Sequence, residues 1–391
     1  MISVSEAKRM LCSRLERGPI ITLSLLDALG HVLSESVFSP IDVPSFDNSA
    51  MDGYAMKFEE GSGEWRLQGK IQAGDIAAEQ VKPGSAVRIF TGAKMPKDAD
   101  TVIPQELIDV DENQIQYKAD KIKPGANVRL RGSQCKKGEK ILLEGSRINA
   151  GRIGLLASVG VGAVKVYTSP KVHIIVTGNE LREVGQELKA GEIYNSNGPM
   201  LEACLRQDGV LNQVTLAVPD DKQSLQEAID KTLNEAEIVI LSGGISVGDY
   251  DFVKECLEQA GVEELFYKVK QRPGKPFYAG KRDNQWIFAL PGNPASVLSC
   301  YHHYVRPCIN YWRGMDAVFE PDEVLPLNQQ VRKKKGFTFF MKGKVKDGKV
   351  EVLGGQQSFN MISFGDANCL VSLNEDTEAV EAGTLVEVYY L

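Results

Sequence analysis

The chain has 391 residues, more than a single hydrophobic core accommodates, so several domains are expected. A net charge of −7, with 25% charged and 43% hydrophobic residues, fits an acidic globular protein and argues against nucleic acid or an anionic membrane surface as the main partner. The seven cysteines show no paired spacing, no apolar run approaches the ~20 residues that cross a bilayer, and Glu6, Lys8 and Arg9 make the N-terminus unlike a signal peptide; a cytoplasmic protein with reduced thiols is expected.

Residues 3–16 read as an amphipathic helix opened by a capping box, Ser3 standing before Glu6. Leu25, Leu26 and Leu29 suggest a second helix from near Ser24, closed by Gly30. The texture then changes. Over 41–138 short runs such as AVRIF and NQIQY alternate with Pro-Gly punctuation, which predicts a β-rich module. It contains FDNSAMDGYAM, where Asp52-Gly53 reads as a turn, and the polar loop TGAKMP. Residues 139–168 return to a helix with Asn149 as its cap, then a strand at Val164 to Tyr167. This stretch is expected to join 1–40 in one discontinuous helical domain, with the β module as an insertion.

From 169 to 314 strands and helices alternate. VHIIV, a strand near Gln213–Val218, IVIL (238–241) and WIFAL are separated by helices over 196–208 and 222–236. The apolar, β-branched runs suit strands buried on both faces of a parallel sheet with helices on either side. Three strands end in polar or Gly/Pro loops, TGNE, SGGISVGD and PGNP. Ligands of such sheets bind at those carboxyl ends. Residues 318–391 read as strands around turns such as Asp347-Gly348, a small barrel or half-open sheet. The basic run Arg332 to Lys335 reads as a solvated edge.

The Ser242-Gly243-Gly244 loop after Leu241 offers free N–H groups, with Asp249 and Asp251 beside it. That combination suits a phosphate ester held with a hard cation. Glu180 and Asp251 follow different strands at one sheet edge and make a reasonable Mg²⁺ pair. Arg272 and Lys275, in RPGKP, could hold a tetrahedral oxyanion. No Walker A lysine, GxSxG or zinc-ligand histidine spacing is present.

FDNSAMDGYA, TGAKMP with DADTVIPQE, IIVTGNEL, GEIYNSNGPML, LSGGISVGDYDFVK, RPGKPF and LPGNPAS occur in this order. Together they resemble the MoeA family, the molybdopterin molybdenumtransferases, which includes the C-terminal domain of gephyrin. The resemblance implies a multidomain α/β protein of four parts. A helical dimerisation domain covers 1–40 and 139–168, an inserted β-rich domain 41–138, a MogA-like molybdopterin-binding domain 169–314 and a barrel-like domain 318–391. It implies an elongated homodimer and Mg²⁺-dependent insertion of molybdate into adenylylated molybdopterin, with release of AMP. An upstream molybdopterin adenylyltransferase and molybdoenzyme acceptors are the implied protein partners.

Carried over by motif, the resemblance assigns Glu180 and Asp251 to the metal and Ser242, Gly243, Gly244 and Ser246 to the nucleotide. Asp52, Thr91, Asp220, Asp221 and Lys275 fall on catalytic positions, and Arg272, Pro291, Pro294, Lys342 and Ser358 on substrate contacts. Three positions depart from the family pattern. Gln134 replaces a carboxylate in RGSQ, Arg272 a lysine, and Lys342 an arginine. Gln134 leaves an alternative open, a weakened molybdopterin-binding or scaffold member of the same family.

Overall fold

A computed structural model describes residues 1–59, 63–75, 80–117, 122–245 and 252–391. The chain divides into two compact units. One comprises Met1–Ile21, Gly30–Ser34 and Lys165–Leu391, the other Thr22–Leu29 and Glu35–Val164. No helix among the described residues is long and apolar enough to cross a membrane.

The first unit is built on a six-stranded sheet in the order Gln213–Val218, Val172–Thr177, Ile238–Ser242, Gln285–Leu290, Tyr278–Arg282, Glu263–Tyr267. The first four strands are parallel, as the apolar runs of Ile238–Ser242 and Gln285–Leu290 predict, with the half-exposed Gln213–Val218 at the edge. Tyr278–Arg282 runs against them, antiparallel both to Gln285–Leu290, which it joins through a turn at Asp283 (φ 53°, in the left-handed region), and to Glu263–Tyr267. Side chains alternate between the faces. Ile174, Val176, Ile240 and Phe288 pack with the helices Val4–Cys12 and Asn197–Gln207, while Ile175, Val239, Leu241 and Ile287 pack under Lys222–Leu233 and Phe252–Gln259. Each such side chain contributes about 1.5–3 kcal/mol by leaving water. Sheet order reverses between Val172–Thr177 and Ile238–Ser242, because their crossovers run to opposite sides. The crevice above those two carboxyl ends is where an open α/β sheet binds ligands.

A second sheet of this unit has its own core of Val350, Val371, Val386 and Val388. It runs Gln271–Arg272, Thr338–Lys346, Cys369–Leu373, Leu385–Tyr390, Glu323–Pro326, with Lys349–Val352 paired to Thr338–Lys346. Asp347 and Gly348 make the expected turn, with φ of 51° and 71°. The two-residue strand Gln271–Arg272 is an addition with no sequence signal. It joins in parallel, Gln271 opposite Thr338 and Arg272 opposite Phe339, and so ties the RPGKP segment to the C-terminal sheet.

The other unit holds a six-stranded sheet ordered Thr101–Pro104, Gly53–Met56, Ser85–Ile89, Glu64–Ile71, Gln114–Tyr117, Ile108–Asp111. Asp52-Gly53 is not a turn but the entrance to a buried strand. A Cβ at Gly53 would stand 2.1 Å from the Ile103 carbonyl oxygen, so glycine is there to let neighbouring strands close up. The Asn149 side chain caps helix Ala150–Ser158 by accepting from Arg152 N at 2.9 Å, as expected.

Two further local expectations fail. The β-branched Ile20-Ile21-Thr22 run wins over the leucine spacing, so Ile20–Ser24 is a strand and turns follow, leaving Leu26 79% exposed. The basic run is not uniformly solvated either. Lys333 is 9% exposed, its Nζ donating to the Phe337 carbonyl at 3.1 Å. All seven cysteines are free, six of them buried.

Candidate functional site

The carboxyl edge of the parallel sheet is shaped by close backbone approach. Ser242 lies opposite Val176 in register and is 1% exposed. Gly243 follows with φ +97°, and a Cβ on it would meet the Thr177 carbonyl oxygen at 2.4 Å. Gly244, at φ +63°, faces the tip of Val253. The Thr177 hydroxyl donates to Asp220 at 3.3 Å, and the Asp220 N–H donates to Asn179 Oδ1 at 3.1 Å. The TGNE loop, Asp220 and the glycine loop are thus drawn together. Glu180 is exposed at this edge, its carbonyl accepting from Ile193 N at 2.9 Å.

Asn197 links this edge to the neighbouring loop. Its Nδ2 donates to Ser242 Oγ at 2.9 Å and to the Gly292 carbonyl at 2.8 Å, bridging SGG to PGNP. Sequence reasoning quoted its motif, YNSN, but gave Asn197 no role, since an uncharged amide carries no chemistry of its own.

Beside it lies a cavity of about 370 Å³ where Arg272, Lys275, Pro291, Asn293 and Ser358 converge. Arg272 and Lys275 are exposed, and the Arg272 guanidinium sits 5.1 Å from the Phe337 ring centroid. Ser358 comes from the C-terminal sheet's loop. Its hydroxyl accepts from Asn293 Nδ2 at 3.1 Å and its carbonyl from Ala295 N at 3.1 Å, which pins that loop to the start of helix Pro294–Cys300. Pro294 opens the helix, where a missing N–H costs nothing.

Lys342 is placed differently from the expectation of a substrate contact. It is 3% exposed, and its Nζ donates to the carbonyls of Gly355, Gln357 and Asn360 at 2.6, 3.4 and 2.7 Å. Burial pulls its pKa down. The ammonium holds the loop that carries Ser358. Asp221 likewise serves local structure, its carboxylate capping helix Lys222–Leu233 through Ser224 N at 2.9 Å; that bond holds its pKa below the ordinary value.

In the other unit Asp52 and Thr91 form a pair. Asp52 precedes strand Gly53–Met56 and Thr91 follows Ser85–Ile89, and antiparallel pairing of Gly53 with Ile89 makes them neighbours. One carboxylate oxygen accepts from Thr91 N at 2.8 Å and from Thr91 Oγ1 at 2.7 Å. These bonds, the backbone one foremost, lower the Asp52 pKa and keep it ionised. Thr91→Val removes the hydroxyl donor and leaves the N–H. The Asp52 carboxyl is therefore expected to titrate at higher pH, part of the way back to its ordinary value, in a carbon-13 NMR titration. An unmoved titration would mean that the N–H alone sets it. Gln134 is exposed in this unit, its N–H donating to the Val43 carbonyl at 2.9 Å.

Ser246 and Asp251 lie outside the described residues. Among the described residues no group of three His, Cys, Asp or Glu side chains is spaced to hold a metal ion.

Comparison with known proteins agrees along the whole chain. Residues 2–160 match the model of the MoeA N-terminal region (domain I and II), 173–311 that of a probable molybdopterin binding domain, and 324–391 that of the MoeA C-terminal region (domain IV). A molybdopterin molybdenumtransferase of Haemophilus influenzae is 35% identical over 99% of this chain and 98% of its own. One from Staphylococcus epidermidis is 32% identical over 99% and 95%. Among solved structures, a molybdopterin biosynthesis MoeA protein of Pyrococcus horikoshii aligns with a TM-score of 0.83 at 30% identity, covering 100% of this chain and 99% of that one. Matched by family models and by full-length relatives in this way, the chain belongs to the MoeA family, the molybdopterin molybdenumtransferases.

Proposed function

We propose that the chain serves molybdenum cofactor biosynthesis by inserting molybdate into adenylylated molybdopterin, AMP leaving as the dithiolene receives the metal. The observation that carries this reading is the cavity in which Arg272 and Lys275 meet Ser358 and Pro291. Two fixed cations and a hydroxyl suit a tetrahedral dianion. The adjoining edge, with Ser242, Gly243 and Gly244, suits the phosphate of the adenylyl group. Mg²⁺ belongs to the reading. Glu180, Asp220 and the Ser242 hydroxyl offer oxygen donors at one edge, as a small hard cation requires, and Asp251 is the second carboxylate that the motif assigns. Bound there, the ion would neutralise charge on the phosphate oxygens.

The direct test is incubation with adenylylated molybdopterin, Mg²⁺ and molybdate. AMP should appear in step with substrate consumed and depend on both ions. Intact substrate after prolonged incubation with folded protein overturns the reading. Lys275→Gln should raise the half-saturating molybdate concentration by about tenfold or more, the worth of a hydrogen bond to a charged group. An unchanged molybdate dependence would give Lys275 a structural role.

A homodimer in the cytoplasm, supplied by a molybdopterin adenylyltransferase and serving molybdoenzyme acceptors, completes the proposal. Sedimentation at the mass of one 42.9 kDa chain would remove the dimer from it.

A further inference from the structure

We propose that Tyr304, acting through Gln271, is the positioning residue of the RPGKP anion loop; the inference rests on the function proposed above. The loop from Arg272 to Pro276 is bracketed by Gln271 and Phe277, and both brackets sit on Tyr304. At one end the Tyr304 hydroxyl donates to Gln271 Oε1. At the other its ring stacks on Phe277, with centroids 4.6 Å apart. Gln271 and Tyr304 are each 0% exposed, so neither competes with water for these contacts.

The middle of the loop is fixed as well. With its oxygen held by the tyrosine, the Gln271 amide turns Nε2 to the Gly274 carbonyl at 2.9 Å, with Cys300 Sγ at 3.4 Å. Gly274 takes φ +82°, and a Cβ there would stand 2.6 Å from Cys300 Sγ, so the apex is pressed against the helix beneath. Main-chain bonds from Val269 N to the Lys275 carbonyl (3.0 Å) and from Lys268 N to the Phe277 carbonyl (3.2 Å) close the returning arm. Arg272 and Lys275 are left as the exposed side chains on a backbone held at both ends and at its apex. Packing alone needs only the tyrosine ring. The hydroxyl is the added feature, and it reaches the side chain that orients the loop.

Tyr304→Phe keeps the stack on Phe277 and removes only the hydroxyl. In the full-length protein it should speed hydrogen exchange about tenfold at the Lys268 and Val269 amides, which donate to the Phe277 and Lys275 carbonyls of the returning arm. It should raise the half-saturating molybdate concentration roughly fivefold while kcat stays within about twofold. Gln271→Met, which keeps length and loses the amide, should act in the same direction. Tyr304→Phe added to Lys275→Gln should bring little further loss of molybdate sensitivity, because the tyrosine works through the loop that carries the lysine. Unchanged exchange at the Lys268 and Val269 amides in both variants, or fully additive losses, overturns the proposal and leaves Tyr304 a core residue. Should the wild-type protein release no AMP, the proposed function falls, yet the exchange comparison still decides whether Tyr304 positions the loop.

Discussion

Gly243→Ala is expected to abolish turnover and to destabilise the parallel sheet, far beyond the effect of Gly244→Ala one residue on. The new Cβ would stand 2.4 Å from the Thr177 carbonyl oxygen at a φ of +97°. A carbonyl at the end of a fully buried strand cannot swing aside, because Val172–Thr177 is paired with neighbours on both edges. Relief has to come from moving the glycine loop or parting the strand ends. Backbone strain with enforced repacking costs about 3 kcal/mol or more. Displacing a site by about 1 Å costs on the order of a hundredfold in rate. Gly244 differs on both counts. Its φ of +63° is left-handed space that alanine enters for about 1–2 kcal/mol, and its close neighbour is the tip of the Val253 side chain, 2.9 Å away. Thermal melting and AMP release per folded molecule, measured on both variants, make the comparison. Equal behaviour of the two would mean that the Thr177 carbonyl yields freely, and the argument from close approach would be wrong.

Gly243 also marks what the sequence discloses and what it hides. An apolar run stopped by glycines is visible in one dimension, and so are the TGNE, SGG and PGNP loops at strand ends. Parallel sheets announce themselves because strands buried on both faces must be apolar throughout, as Ile238 to Leu241 and Trp286 to Leu290 are. The Asn149 cap and the Asp347-Gly348 turn were legible because their chemistry is local. Contacts made across long separations were not. Gln271–Arg272 is too short to carry a pattern, yet it places RPGKP on the C-terminal sheet. Three leucines near Ser24 imitated a helix face, while the β-branched Ile20-Ile21-Thr22 run favoured the strand before them. Asn197 and Gln271 act through amides, which shift no charge and leave no compositional trace. Lys342 shows a further kind of hidden contact. The resemblance assigned it to the substrate, whereas the partners that its ammonium has in the structure are main-chain carbonyls, which look the same in every residue.

Lys342→Met should therefore behave as a lesion in the C-terminal loop rather than in oxyanion binding. Methionine preserves the apolar stem and removes the ammonium from among the Gly355, Gln357 and Asn360 carbonyls. These acceptors, satisfied from beneath by a side chain 3% exposed, would lose a charged donor that no water readily replaces. The cost expected for breaking such an arrangement is about 3–5 kcal/mol. The loss should stay local, since the sheet keeps its own core of Val371, Val386 and Val388. Its consequence should reach Ser358, which the same loop presents to Asn293 and Ala295. Faster exchange at the 354–360 amides is expected, together with a fall in maximal AMP release of about tenfold or more, the size of effect that misplacing a positioned group brings. Lys342→Arg should recover only part of this. A planar fork keeps the charge but cannot point one compact donor at carbonyls on several sides. The opposite pattern, normal exchange at 354–360 with a raised molybdate requirement alone, would mean that Lys342 faces the substrate after all.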